Sequence, residues 1–308
     1  MNLKLYQIVY SQRMCAEDGF LPLDNRSNER PDWYEYWPIR RFLRSEDLDE
    51  DGFYGFLSPR FREKTNLSFA AVRDFVRRQP MGTEVILFSP GLNASAYFLN
   101  VFMFGESVHP GLLEASILFF RRLGHWEGLD NLITTSRNEV FSNYIVAKPV
   151  FWRAWLQLTE QLFAIAESKD DPLGEKLRGA TPYRGKEAPL KVFILERLAT
   201  WLLATRPFRV VALDPFVAHS RSYKLPGAVL CDALKIAYTE TEHRRVYLQL
   251  FELISGARKA LGRVVRLLAF LGVSPVTSCV GSLQHNWSER ASLSCIGSVP
   301  RPWTRTFP

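Results

Sequence analysis

EVILFSPGLNASAYFLNVFMFGESVHPG, residues 84 to 111, opens with the apolar run Val85 to Phe88 and breaks it at Ser89-Pro90-Gly91. A run that short predicts a buried strand rather than a helix, with a loop leaving the sheet at Ser89. From Ala96 to Phe104 the apolar residues Tyr97, Phe98, Val101, Phe102 and Phe104 recur at helical spacing, and Asn100, Glu106 and His109 lie among or just after them. In open α/β sheets, ligands bind outside the carboxyl ends of the strands, where loops present polar groups without disturbing the core. Asn100, Glu106 and His109 are therefore candidates for one site. The competing reading of the same stretch is a capped helix packed on a sheet.

Other segments repeat this alternation. Leu3 to Tyr10 predicts a first strand, with Ser11 at its carboxyl end, and Phe208 to Leu213 predicts a last one, closed by Asp214-Pro215. Both are expected in one sheet with Val85 to Phe88, with helices on both faces. The strand-like Phe53 to Leu57 empties into Arg60, Arg62 and Lys64, three cations suited to a phosphate. Ser68 is positioned as the N-cap of a helix to about Gln79. Asn131 to Thr135 and Val140 to Ala147 read as strands, the second carrying Asn143 and Tyr144, and Lys148-Pro149 starts a long helix. Asp170 to Pro189 reads as a mobile connection. In the helix from Leu190, Glu196 and Arg197 form an ion pair in an apolar setting, which is structural or catalytic because neither charge is cheaply buried alone.

With 47% hydrophobic and 23% charged residues the 308-residue chain can bury a large core, which argues against wholesale disorder. The charge of +7 favours anionic partners, but the basic residues are scattered and nucleic acid is not an expected one. Cys15, Cys231, Cys279 and Cys295 show no C-x-x-C spacing, so neither a zinc site nor a disulfide framework is implied. The start MNLKLYQIVYSQ lacks signal-peptide features, and a cytoplasmic setting is expected. Two D-x-D patterns in Asp47 to Asp51 precede a strand rather than follow one, and read as a solvated turn. Helix is also expected from Tyr238 to about Phe270, where Arg258, Lys259, Arg263 and Arg266 alternate with apolar residues. Such a helix either lies on an anionic inner-membrane leaflet or docks with a solvated basic face.

Three groups of motifs carry a resemblance. They are Tyr54-Gly55-Phe56-Leu57-Ser58-Pro59-Arg60-Phe61-Arg62-Glu63-Lys64-Thr65; Asn100-Val101-Phe102 with Gly105-Glu106 and His109-Pro110-Gly111; and Phe141 to Pro149 with Phe151-Trp152, then Phe193 to Leu198. In this order they resemble an uncharacterised bacterial glycosyltransferase-like family from surface-polysaccharide loci, over about residues 3 to 216. The resemblance implies an α/β, GT-A-like nucleotide-binding sandwich with a mixed sheet. Residues 1–225 would form it, 226–271 a C-terminal helical extension and 272–308 a disordered tail. The implied partners are a nucleotide sugar and a glycan or lipid-linked acceptor. Glu106 and His109 would be the candidate bases, and Ser11, Arg60, Arg62, Lys64, Ser89, Asn100, Asn143, Tyr144, Glu196 and Arg197 the substrate contacts. No metal ligands are assigned. Without a D-x-D after a strand, either the three cations neutralise the diphosphate without manganese or magnesium, or activity is lost and a non-catalytic binding or scaffold protein remains.

Overall fold

The computed structural model describes residues 2–89, 94–125, 128–183, 185–214, 226–241 and 244–270, with side chains in the last span described for 245–260 only. Its strands are β1 (Leu3–Val9), β2 (Leu21–Asp24), β3 (Phe53–Leu57), β4 (Val85–Leu87), β5 (Ile145–Ala147), β6 (Ala180–Tyr183), β7 (Lys186–Pro189) and β8 (Val210–Ala212). Six of them make one mixed sheet in the order β2-β1-β3-β5-β4-β8, and β6 and β7 form a separate hairpin. β1 pairs in parallel with β2 and β3, and β4 with β8. β5 is antiparallel to both its neighbours, β3 and β4.

Period-two alternation sends the sheet residues to two cores. Ile8, Tyr54, Phe56, Val85, Leu87, Ile145 and Ala147 join one core. It also takes residues of helices α1 (Tyr36–Ser45), α4 (Val101–Val108), α5 (Leu112–Arg122), α6 (Pro149–Glu167), α7 (Pro172–Arg178) and α8 (Leu190–Thr205). Leu5, Phe53, Leu57, Ile86, Phe88, Tyr144 and Val146 face the other way, against Phe61 of α2 (Phe61–Thr65) and Val72 and Val76 of α3 (Phe69–Arg77). The α/β class with helices on both faces is thus the observed one. Gly55 lies mid-sheet because a Cβ there would stand 3.0 Å from both Leu5 and Val146 side chains.

Several expectations change. β2 lies between Ser11 and Trp33, where the sequence marks no element, because Leu23 is its only buried residue and too weak an apolar signal to mark a strand. Asn131 to Thr135 forms no strand and Val140 to Ala147 only its last part, because Ser142 and Asn143 take left-handed backbone (φ 56° and 53°) and stop pairing before Ile145. The expected mobile connection instead holds α7, whose first turn is capped by the Asp171 carboxylate, and the β6–β7 hairpin. The helical extension expected over 226–271 is present as α9 (Pro226–Glu240) and α10 (Arg244–Phe270), so that helix begins before the Tyr238 read from the apolar pattern. No helix among the described residues is long and apolar enough to cross a membrane. The expected disordered tail, and the side chains of Arg263 and Arg266, lie outside the described residues.

Residues 1–258 make one compact unit and 259–308 another. Within the first, α9 packs Ala228, Cys231 and Leu234 against Ala96 and Tyr97. Beside that contact Lys235 and Glu139 form a buried ion pair at 3.5 Å. Ser95 and Thr134 hydroxyls each donate to Glu139 at 2.7 Å, and Lys235 donates to the Phe98 carbonyl. Removing one charge strands the other away from water, a loss of about 3–5 kcal/mol. Lys235→Met is therefore expected to lower unfolding free energy by that amount in denaturant titrations, and Lys235→Met with Glu139→Gln to recover part of it.

Candidate functional site

Because β5 runs against its neighbours, its amino end lies at the carboxyl edge of β3 and β4. One edge of the sheet thereby gathers Tyr10 and Ser11 after β1, Ser58 and Arg60 after β3, Ser89 after β4, and Ser142, Asn143 and Tyr144 before β5. The buried Tyr144 hydroxyl meets Ser58 Oγ at 2.8 Å. Lys64 Nζ donates to Ser142 Oγ at 2.9 Å and lies 5.5 Å from the centre of the Tyr144 ring. Between those two anchored residues Asn143 is 5% exposed, and its Oδ1 accepts no hydrogen bond among the described residues. Asn25, just past β2, likewise leaves a buried Oδ1 unpaired.

Two carboxylates, Glu35 and Glu196, act electrostatically on the Tyr144 of this cluster. Glu35 sits immediately before α1 and Glu196 in the second turn of α8. The segments that carry them are clamped together: the buried Lys191 ammonium donates to Asp32 at 2.6 Å and lies 4.0 Å from the centre of the Trp33 ring. Glu35 makes no hydrogen bond or ion pair among the described residues, and it is half-buried. Desolvation raises its carboxyl to about 7; the positive charge of Lys64 opposes the shift and the negative charge of Glu196 adds to it. Burial likewise pushes up the phenols of Tyr10 and Tyr144, with the charge of Glu35 contributing to both.

The remaining candidates divide. Arg60 is bound through Nε and Nη2 to Glu63 at 2.7 and 2.5 Å, and electrostatically it feels Tyr144 and Tyr183. Arg62 points to Glu17 at 3.6 Å, and Ser11 is exposed. Ser89 is committed to backbone, donating to the Glu139 carbonyl and accepting from Phe141 N–H. Asn100 is the N-cap of α4: its Oδ1 accepts from Phe102 and Met103, and its amide donates to the Leu129 and Leu132 carbonyls. Glu106 is not available as a base where it stands, since its oxygens accept Gly111 and Leu113 N–H at the start of α5.

His109 is buried with Nδ1 3.0 Å from the Pro182 carbonyl and its ring stacked 3.6 Å from Phe193. Burial, helped by the nearby Arg197 charge, lowers its pKa. Arg197 is buried too and donates to the Val101 and Phe193 carbonyls, while Glu196 Oε2 stands 3.8 Å from its guanidinium. The second residue of the Glu196-Arg197 pair is thus structural and the first is partly exposed.

Glu35, Tyr10, Ser58 and Ser142 were not among the residues singled out from the sequence. The available signal for Glu35 was a lone carboxylate amid Trp33, Tyr34, Tyr36 and Trp37. Asp47 to Asp51 precede β3 and so lie at the opposite, amino edge of the sheet, where Glu50 pairs with Arg153 and Asp49 accepts from Asn2. No three His, Cys, Asp or Glu side chains converge to hold a metal ion among the described residues. Comparison with protein-family models, with curated proteins and with solved structures finds no match for the chain.

A glutamate held above its unfolded value of about 4.3 gives full stability below that value. The contribution is lost as pH rises towards the folded value of about 7, because the unfolded chain then sheds the proton more easily. Glu35→Gln removes this penalty. The variant should melt progressively higher than the parent as pH rises through that window, and the two should converge in acid; thermal melts across pH test it.

Proposed function

We propose that the chain is a glycosyltransferase of GT-A-like architecture, which moves a sugar from a nucleotide-sugar donor to a hydroxyl of a glycan or lipid-linked acceptor. The observation that carries the reading is the carboxyl-edge cluster, where Glu35 feels the charges of Lys64 and Glu196 and Asn143 leaves its Oδ1 without a partner among the described residues. Transfer to a hydroxyl needs a group to take the acceptor proton and positive charge to stabilise the departing diphosphate. Glu35, free of hydrogen bonds among the described residues and raised to about 7, suits the first task near neutral pH. Lys64 and Arg60 suit the second. In the step, the acceptor oxygen bonds to the anomeric carbon, the bond to the diphosphate oxygen breaks, and the acceptor proton passes to Glu35. Glu196 would orient sugar hydroxyls. The mixed sheet is consistent with the GT-A-like expectation.

One observation favours a second reading, binding without turnover: Arg60 spends two of its donors on Glu63. Calorimetric titration with a panel of nucleotide sugars, with and without manganese, separates the two when combined with a product assay. Donor binding is expected to survive chelation and to weaken on Arg60→Ala and Lys64→Ala, by about 1.5–3 kcal/mol for each lost charge-assisted contact. Glu35→Gln should keep donor affinity and abolish turnover. Absence of binding by any donor rejects the proposal, and binding without product selects the second reading.

A further inference from the structure

Helix α10 carries more apolar surface than its packing uses. Tyr247, Leu248, Phe251 and Ile254 join the cluster around Ala96 and Tyr97, and the Arg258 guanidinium lies 5.5 Å from the centre of the Tyr97 ring. Val246, Leu250 and Leu253 are 54%, 43% and 70% exposed. Spaced i, i+4 and i+7, they fall in one stripe along the helix, which Ala257, also exposed, continues. Single exposed aliphatic residues are ordinary, whereas a helical stripe of them marks a contact surface.

Charge selects the occupant. Residues 244–270 contain six basic residues, Arg244, Arg245, Arg258, Lys259, Arg263 and Arg266, and one acidic residue, Glu252. Two copies of such a helix repel each other, while an anionic lipid surface attracts it. The sequence also keeps the apolar spacing beyond Ala260, in Val264 and Leu268. An amphipathic helix that is strongly basic, and too polar to span a bilayer, lies in the plane of the interface with its apolar face in the headgroup and acyl boundary.

We propose that α10 is an interfacial anchor, with Val246, Leu250 and Leu253 entering an anionic lipid surface and the exposed Arg245 beside them at its phosphates. This does not rest on sugar transfer. The test is flotation of the full chain with vesicles of phosphatidylcholine alone or mixed with phosphatidylglycerol, at low and high salt. The parent should float with the anionic vesicles, less so in salt, and not with the neutral ones. Val246→Ser, Leu250→Ser and Leu253→Ser together should cut partitioning at least about tenfold with an unchanged melt. Should the triple variant melt early, Leu253→Ser alone still has to lower partitioning. A parent that ignores anionic vesicles at low salt, or serine variants that bind as the parent does, overturns the proposal. So does a parent dimer in sedimentation velocity that the triple variant dissociates, since the stripe would then join two copies of the chain.

Discussion

The six-stranded sheet is one sheet only because of Ile145, Val146 and Ala147. β2, β1 and β3 form one parallel block, β4 and β8 another, and β5 hydrogen-bonds to both. The strand is three residues long, every one of them fully buried. Backbone groups buried in a core must be paired, so neither block could turn its inner edge to the core without β5 between them. Its ends are tied as well: Phe88 N–H donates to the Tyr144 carbonyl and Lys148 N–H to the Glu84 carbonyl. Trp152, one turn into α6, donates from its indole to the Tyr54 carbonyl and fixes the helix that follows to the strand alongside.

The same constraint makes the site. A parallel strand in this position would bring its amino end, and the loop before it, to the far side of the sheet. Running antiparallel, β5 delivers Ser142, Asn143 and Tyr144 to the edge where β1 and β3 end, and there they meet Lys64 and Ser58. Glu35 arrives from the segment before α1 and Glu196 from α8, and the Lys191–Asp32 bond holds those segments in register. Lys191 is buried, and Asp32 and Glu167 lie 2.6 and 3.8 Å from it with Arg30 beside them, so its charge is met on more than one side. An ammonium buried with that many partners costs far less than an isolated one.

The principal strands and the long helices were legible in the sequence, because short apolar runs and 3.6-residue periodicity report burial directly. Ser68 was legible as an N-cap, since its hydroxyl does accept from Ala71 N–H. What was not legible follows from the same physics. α2 is five residues long, too short to show a period, so its cations read as a loop. Asn100 and Glu106 are polar residues beside an apolar helix, and sequence alone does not separate capping a helix from facing a ligand. Both turn out to satisfy backbone N–H groups that the helix starts leave over. The depth of Arg197 was likewise hidden until its neighbour was known: a Cβ on Gly105 would stand 2.6 Å from its Nε, so the glycine makes room for the guanidinium. Glu35 was missed because the one local mark, a lone carboxylate among four aromatic residues, says nothing of its charged neighbours, and its setting depends on Lys64 and Glu196, each far away in the chain.

The distribution of unmet polar groups bears on the site independently of any reaction. Buried side-chain oxygens and nitrogens without a partner among the described residues are those of Asn25, Tyr36, Asn143, Trp155 and Thr181. Two are amide oxygens just past β2 and just before β5, at the carboxyl edge; Thr181 lies in the hairpin beside Pro182, whose carbonyl meets His109. Each such group costs about 1–3 kcal/mol when left unsatisfied. Asn143 adds the strain of a left-handed backbone next to a second left-handed residue, Ser142. Elsewhere the fold spares little: Ser89, Asn100 and Glu139 each have their polar atoms bonded. Tyr36 and Trp155 lie in the helical core, so the unmet groups at the sheet's carboxyl edge are the two amide oxygens, and that of Asn143 stands between Ser142 and Tyr144, which Lys64 contacts. Strain and unpaired polarity of this kind collect where a bound molecule supplies the missing donors.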